Sequence, residues 1–156
     1  MTSSHIGAMM TLAVLIAGSM GQAQGPDRLA QARQAYNAGQ FDAAITAATD
    51  ALKTPALANP AAVVLARAHL ERSRATAALR PKDPEVTAHL EQARLALRRV
   101  VPGQLAPRDH VEFLVGMGVS IYLEECADGC YSAAAEMFSL ALARATAADD
   151  REPIFE

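Results

Sequence analysis

The chain contains no tryptophan, and aromatic residues make up only 4% of its 156 positions, so large flat side chains cannot dominate the core. Two cysteines exclude a disulfide-dense mini-protein. Nine glycines and eight prolines are ordinary numbers and exclude collagen-like and low-complexity chains. Lysine occurs only twice, and the twelve arginines are spread along the chain. With a net charge of −3 and a pI near 5.8, this is not the clustered basic surface that nucleic acid requires. No stretch alternates apolar and polar residues with period two, which argues against a sheet. There is no G-x-S-x-G, no phosphate-cradling glycine loop and no H-E-x-x-H. The paired acids Glu124-Glu125 and Asp149-Asp150 are adjacent, so on a helix their carboxylates diverge and form no acid–base couple. The expectation is a protein that is not an enzyme and carries no cofactor.

What the sequence has is alanine, the strongest helix former, at roughly a fifth of its positions. Residues 1–23 carry no Lys, Arg, Asp or Glu. Their apolar stretch, Met9 to Ala17, is shorter than the ~20 residues that span a bilayer. Gly21-Gln22-Ala23 fits the small-x-small rule for cleavage after Ala23. This predicts a signal peptide over 1–23 and a periplasmic or secreted product over 24–156, with no membrane span in the mature chain.

The remainder reads as helices separated by Pro and Gly. The expected spans run from about Asp27 to Ala38, Phe41 to Lys53, Asn59 to Leu79, Asp83 to Val101, Pro107 to Glu125 and Tyr131 to Ala148. Gly39 stops the first. Asn59-Pro60 and Asp83-Pro84 each supply an N-cap followed by proline in the first turn. The helices pair, and the pairs repeat. Phe41, Val86 and Tyr131 are spaced by 45 residues, as are Ala48, Ala93 and Phe138, then Ala51, Ala96 and Ala141, then Leu52, Leu97 and Leu142. In the odd helices Ala32 and Ala66 lie 34 apart, as do Tyr36 and Leu70, with Gly118 and Tyr122 in the same register further on. Tyr36, Phe41, Phe113, Tyr122 and Phe138 are the expected large anchors of an otherwise small-residue core. Gly116 and Gly118 are expected to permit close helix packing.

At ARQAYNAGQFDAAITAATDAL the chain resembles the tetratricopeptide repeat family, with Ala32, Tyr36, Gly39, Phe41, Ala44, Ala48, Ala51 and Leu52 at motif-like spacings. The second repeat lacks the turn glycine, and the third replaces the turn with ECADGC. The resemblance implies an all-α fold of three helix-turn-helix hairpins, about 27–55, 59–101 and 108–148. These would stack as a short right-handed α-solenoid, three units being about the minimum that buries such a core. It also implies a non-catalytic protein- or peptide-binding scaffold of the cell envelope, whose partner would lie along the first helices of the hairpins. On that geometry the groove comprises Arg33, Tyr36, Asn37, Arg67, Leu70, Glu71, Arg74 and Tyr122. Its arginines suit a carboxylate or acidic peptide, with the tyrosines as flat contacts.

Three further features complete the reading. In an oxidising compartment Cys126 and Cys130 would form a local disulfide fixing the third turn, worth about 2 kcal/mol for so small a loop. Free thiols are the alternative there. His69 and His89 fall on facing helices of the second hairpin and read first as hydrogen-bonded core histidines, though two imidazoles there could share a proton or, on the metal-binding alternative, an ion. His110, beside Asp109 at a helix start, reads as surface or capping chemistry. A self-associating structural module, a homo-oligomer built on exposed repeat ends, is the other alternative function.

Overall fold

The computed structural model describes residues 24–124 and 130–145. Among them every regular element is helical: α1 (Gln24–Asn37), α2 (Phe41–Ala51), α3 (Ala58–Leu79), α4 (Pro84–Leu97), α5 (Pro107–Tyr122) and α6 (Cys130–Arg144). Two short 3₁₀ turns, Pro55–Leu57 and Pro102–Gln104, lie before α3 and α5. No described helix is long and apolar enough to cross a membrane. The signal peptide expected over 1–23, residues 125–129 with Cys126, and the segment after 145 lie outside the described residues.

Local sequence accounts for the boundaries. Gly39 adopts φ +70°, the left-handed region that glycine enters without a Cβ clash. The Gly39 amide donates to the Tyr36 carbonyl and the Gln40 amide to that of Ala35, so the carbonyls at the end of α1 are satisfied by a Schellman turn. Asp83 caps α4 by accepting from the Glu85 amide at 2.9 Å, with Pro84 at the first helical position. Asn59 does something other than the capping expected of it. The 3₁₀ turn feeds directly into α3, placing Asn59 inside the helix, where its side chain reaches the α4–α5 connection. There Asn59 Nδ2 donates to Gln104 Oε1 at 2.8 Å, and Oδ1 accepts from the Val101 amide at 3.1 Å. α4 and α5 also end earlier than expected, at Leu97 and Tyr122.

Consecutive helices pack on one another from α1 to α6, while α1 touches α3 and α3 touches α5 in a row. The core between them is made of small residues: 14 of the 23 buried apolar residues described are alanine. Helix surfaces of this kind meet backbone to backbone, gaining many weak contacts rather than a few large ones. The 45-residue register marks this seam. Ala48, Ala93, Ala51, Ala96 and Ala141 are all buried. Where Phe138 stands in place of alanine, the facing helix makes room. A Cβ on Gly118 would come within 2.6 Å of the Phe138 ring.

Among the expected anchors, Tyr36, Phe113 and Phe138 pack against the buried clusters. Phe41 is half-buried and sits 5.9 Å from the Tyr36 ring. Tyr122 is 58% exposed and contacts Tyr131 instead, with ring centres 5.7 Å apart. The reason is register. Gly118 and Tyr122 lie 52 residues beyond Ala66 and Leu70, whereas the residues buried like them are 45 beyond, at Val111 and Val115. The two settings differ by seven residues, about two helical turns, and so fall on nearly the same face.

Candidate functional site

The row of α1, α3 and α5 presents one polar cleft, lined by Arg33, Tyr36 and Asn37 of α1, Val64 and Arg67 of α3, and Arg108 and Glu112 of α5. Its volume is about 120 Å³. Buried alanines bring these helices close enough for their polar side chains to meet: Ala32 and Ala66, one residue before Arg33 and Arg67, have no exposure.

The charges within the cleft are partly paired. Arg33 forms a hydrogen-bonded ion pair with Asp109, a buried residue in the first turn of α5. Arg67 reaches Glu112 Oε2 at 3.4 Å, and both side chains are largely withdrawn from solvent. Arg108 lies 3.6 Å from Glu112 Oε1, so one carboxylate is shared by two guanidinium groups at long range. Three cations thus face two carboxylates, and Arg33 and Arg108 remain about half exposed. The Arg67 guanidinium also stands 5.0 Å above the Tyr36 ring, within cation–π range. Burial raises the Tyr36 phenol pKa above its usual value, with the neighbouring Arg67 charge opposing the shift. The surplus positive charge and flat ring suit a carboxylate, because guanidinium binds one bidentately.

Four of the eight expected groove residues therefore meet here: Arg33, Tyr36, Asn37 and Arg67. Glu71 and Arg74 pair with each other at 3.1 Å and line a second, larger cleft of about 650 Å³ with Phe41, Ser73, Val86 and Leu90. Leu70 is 2% exposed and lies in the core beneath the groove. Tyr122 lines neither of these clefts. Arg108 and Glu112 were not among the expected residues. A signal for Glu112 was available in the 45-residue step, since Arg67 plus 45 is Glu112, the residue it touches, and Arg108 lies one turn before Glu112 on α5.

His69 and His89 come together as their placement on facing helices predicts, with Nδ1 atoms 2.9 Å apart across the α3–α4 interface. His110 sits edge-on to Phe113 at 6.3 Å. Its pKa is lowered by desolvation first and the Arg144 charge second. Cys130 opens α6, while Cys126 and hence the expected disulfide lie outside the described residues. No family model, no curated protein and no solved structure matches the chain.

Proposed function

We propose that this chain is an exported, non-catalytic scaffold of the cell envelope that binds an acidic segment of a protein or peptide partner across α1, α3 and α5. The three pairs α1–α2, α3–α4 and α5–α6 are then tetratricopeptide-like hairpins stacked as a short right-handed solenoid. The observation that carries the reading is the convergence of Arg33, Arg67 and Arg108, one from each odd helix, on a single cleft floored by Tyr36. A rigid row of helices holding such side chains fits recognition better than turnover, because the residues offer charge and a flat surface but no nucleophile–base pair. Export rests on the uncharged apolar leader and the Gly21-Gln22-Ala23 site, and predicts that the mature protein begins at Gln24. In that compartment the Cys126–Cys130 bridge follows.

Selection from a displayed random peptide library tests the proposal. Enrichment of Asp- and Glu-containing peptides, lost with Arg108→Gln, is the expected outcome. Arg108 is the most exposed of the three arginines, so its removal leaves the packing intact. Enrichment of apolar or basic sequences would contradict it.

Self-association is the second reading, favoured by the outer surface of α6. Leu97 is 3% exposed beneath α5, and Leu52 packs against the core beside α3. Leu142, in the same register on α6, is 44% exposed. Concentration-dependent mass in sedimentation, abolished by Leu142→Glu, is the outcome this reading requires.

A further inference from the structure

The contact between His69 and His89 joins α3 to α4 at the base of the part of that hairpin carrying the long end of α3. Its geometry decides what lies between the rings. The ring centres are 5.2 Å apart and the Nδ1 atoms 2.9 Å. The difference, 2.3 Å, is twice the distance from the centre of an imidazole to its nitrogen, so the two lone-pair axes lie nearly on one line. A metal between collinear imidazoles needs about 2.0–2.1 Å on each side, hence nitrogens near 4 Å apart. At 2.9 Å, head on, only a hydrogen fits. One ring must carry its proton on Nδ1 and the other must present a bare Nδ1.

We propose that His69 and His89 form an acid-released latch, in which one shared hydrogen fastens the amino-terminal half of α4 to α3 and a second proton drives the two apart. The first proton taken up can sit on an outward Nε2, leaving the donor ring a cation and the hydrogen bond charge-assisted. The second has only the remaining bare Nδ1, where two N–H groups would then face each other. Burial lowers the His69 pKa to about 4, with the His89 charge as the second cause, so the latch holds at neutral pH.

The surrounding charges leave this arrangement intact. From α2, Asp42 raises the His69 pKa, opposing the larger effects, but is itself 3.1 Å from Arg72 of α3. On the α4 side, Glu85 is engaged by Arg80 at 3.8 Å, and Arg94 by Glu124 at 3.2 Å. Of the charges on α1 and α5, Arg33 is paired with Asp109 and Arg108 lies by Glu112, and Glu112 is the one that reaches α3, at Arg67. Arg67 is two residues and so about 200° around the helix from His69. One turn beyond the latch, Ser73 Oγ donates to the Val86 carbonyl at 2.9 Å, and Ser73, Val86 and Leu90 line the larger cleft. Release of α4 therefore widens that cleft.

Nitrogen NMR of ¹⁵N-histidine-labelled protein at pH 7 tests the bond. One Nδ1 protonated, one bare and a scalar coupling between them is the expected spectrum. Lowering the pH from 7 to 4 should then accelerate amide exchange over residues 84–90 at least tenfold more than over α1, after correction for intrinsic rates. That excess should vanish in His69→Gln/His89→Gln. Absence of the coupling at pH 7 would overturn the latch, as would the same acid-induced excess in the double variant. So would one equivalent of Zn²⁺ or Cu²⁺ taken up on both Nδ1 atoms. The spectrum of the unmodified protein decides even if the double variant does not fold.

Discussion

Two glycines two residues apart on α5 make opposite demands on a methyl group. At Gly118 a Cβ would meet three atoms of the Phe138 ring at 2.6–2.9 Å, and a ring wedged against a helix backbone has little freedom to retreat. Gly118→Ala should therefore lower stability by about 1–3 kcal/mol, the usual range for overpacking. At Gly116 the nearest atoms are Leu97 Cδ2 at 3.4 Å and Arg67 Cγ at 3.8 Å, ordinary van der Waals contacts. There the gain in helix propensity, up to ~1 kcal/mol, should leave Gly116→Ala neutral or stabilised. Urea denaturation of the two variants checks both signs, and a loss at Gly116 as large as at Gly118 would contradict the packing described. Gly39 is a third case. Nothing lies within 4 Å of its Cβ position, yet φ is +70°, so Gly39→Ala should cost about 1–2 kcal/mol through backbone strain alone. The sequence showed that Gly39 ends a helix, because the left-handed terminator is a local rule. It indicated close packing at Gly116 and Gly118, but could not separate them, because the difference depends on which neighbour lies opposite.

At the scale of the helix, the six segments were legible because proline, glycine and alanine mark them locally. The exceptions are instructive. Asn59 looks like an N-cap from its neighbours, but the preceding 3₁₀ turn continues into α3 and frees the side chain to hold residues 101–104. A tie to a segment some 45 residues away leaves no local signature. Asn59→Ala should cost about 1 kcal/mol, the typical net value of a hydrogen bond, and should speed amide exchange at Val101. Exchange at Val101 unchanged from the parent protein would count against the bridge. Tyr122 was misplaced for a related reason, since a seven-residue slip preserves the helical face and only the contact with α3 shows the true setting. The α3–α4 pair also predicts a pH dependence. The pKa of His69 lies below its unfolded value, so the unfolded chain takes up this proton first as the pH falls. The contribution is complete above about pH 6.5 and is lost progressively toward pH 4. At 1.36 kcal/mol per unit this amounts to about 3 kcal/mol at most. The difference in stability between pH 7 and pH 4 should shrink by about that amount in His69→Gln.

Across the whole molecule, the alanine seam, the row of odd helices and the arginine cleft have one origin. Small buried residues let α1, α3 and α5 approach, and approach brings residues of three helices around one space. Four of the seven residues lining this cleft were legible in the sequence. Arg33 and Arg67 are 34 residues apart, and Tyr36 and Asn37 share the face of α1 that carries Arg33, whereas Glu112 follows only once α5 is set 45 residues from α3, with Arg108 one turn before it. Residue types also misled at Leu70, where an apolar side chain at a groove position belongs to the core instead. The cleft's charges were legible as types but not as inter-helix pairs, since Asp109 finds Arg33, and Glu112 finds Arg67, across helices.

What we propose for this cleft is recognition of an acidic segment. Its most direct test is the side-chain Nε–Hε NMR signals of Arg33, Arg67 and Arg108 during titration with a blocked Glu-rich peptide and its Gln counterpart. The three signals should move together with the Glu peptide, stay in place with the Gln peptide, and return as salt is raised. Equal response to both peptides, or movement confined to Arg74 at the other cleft, would contradict it.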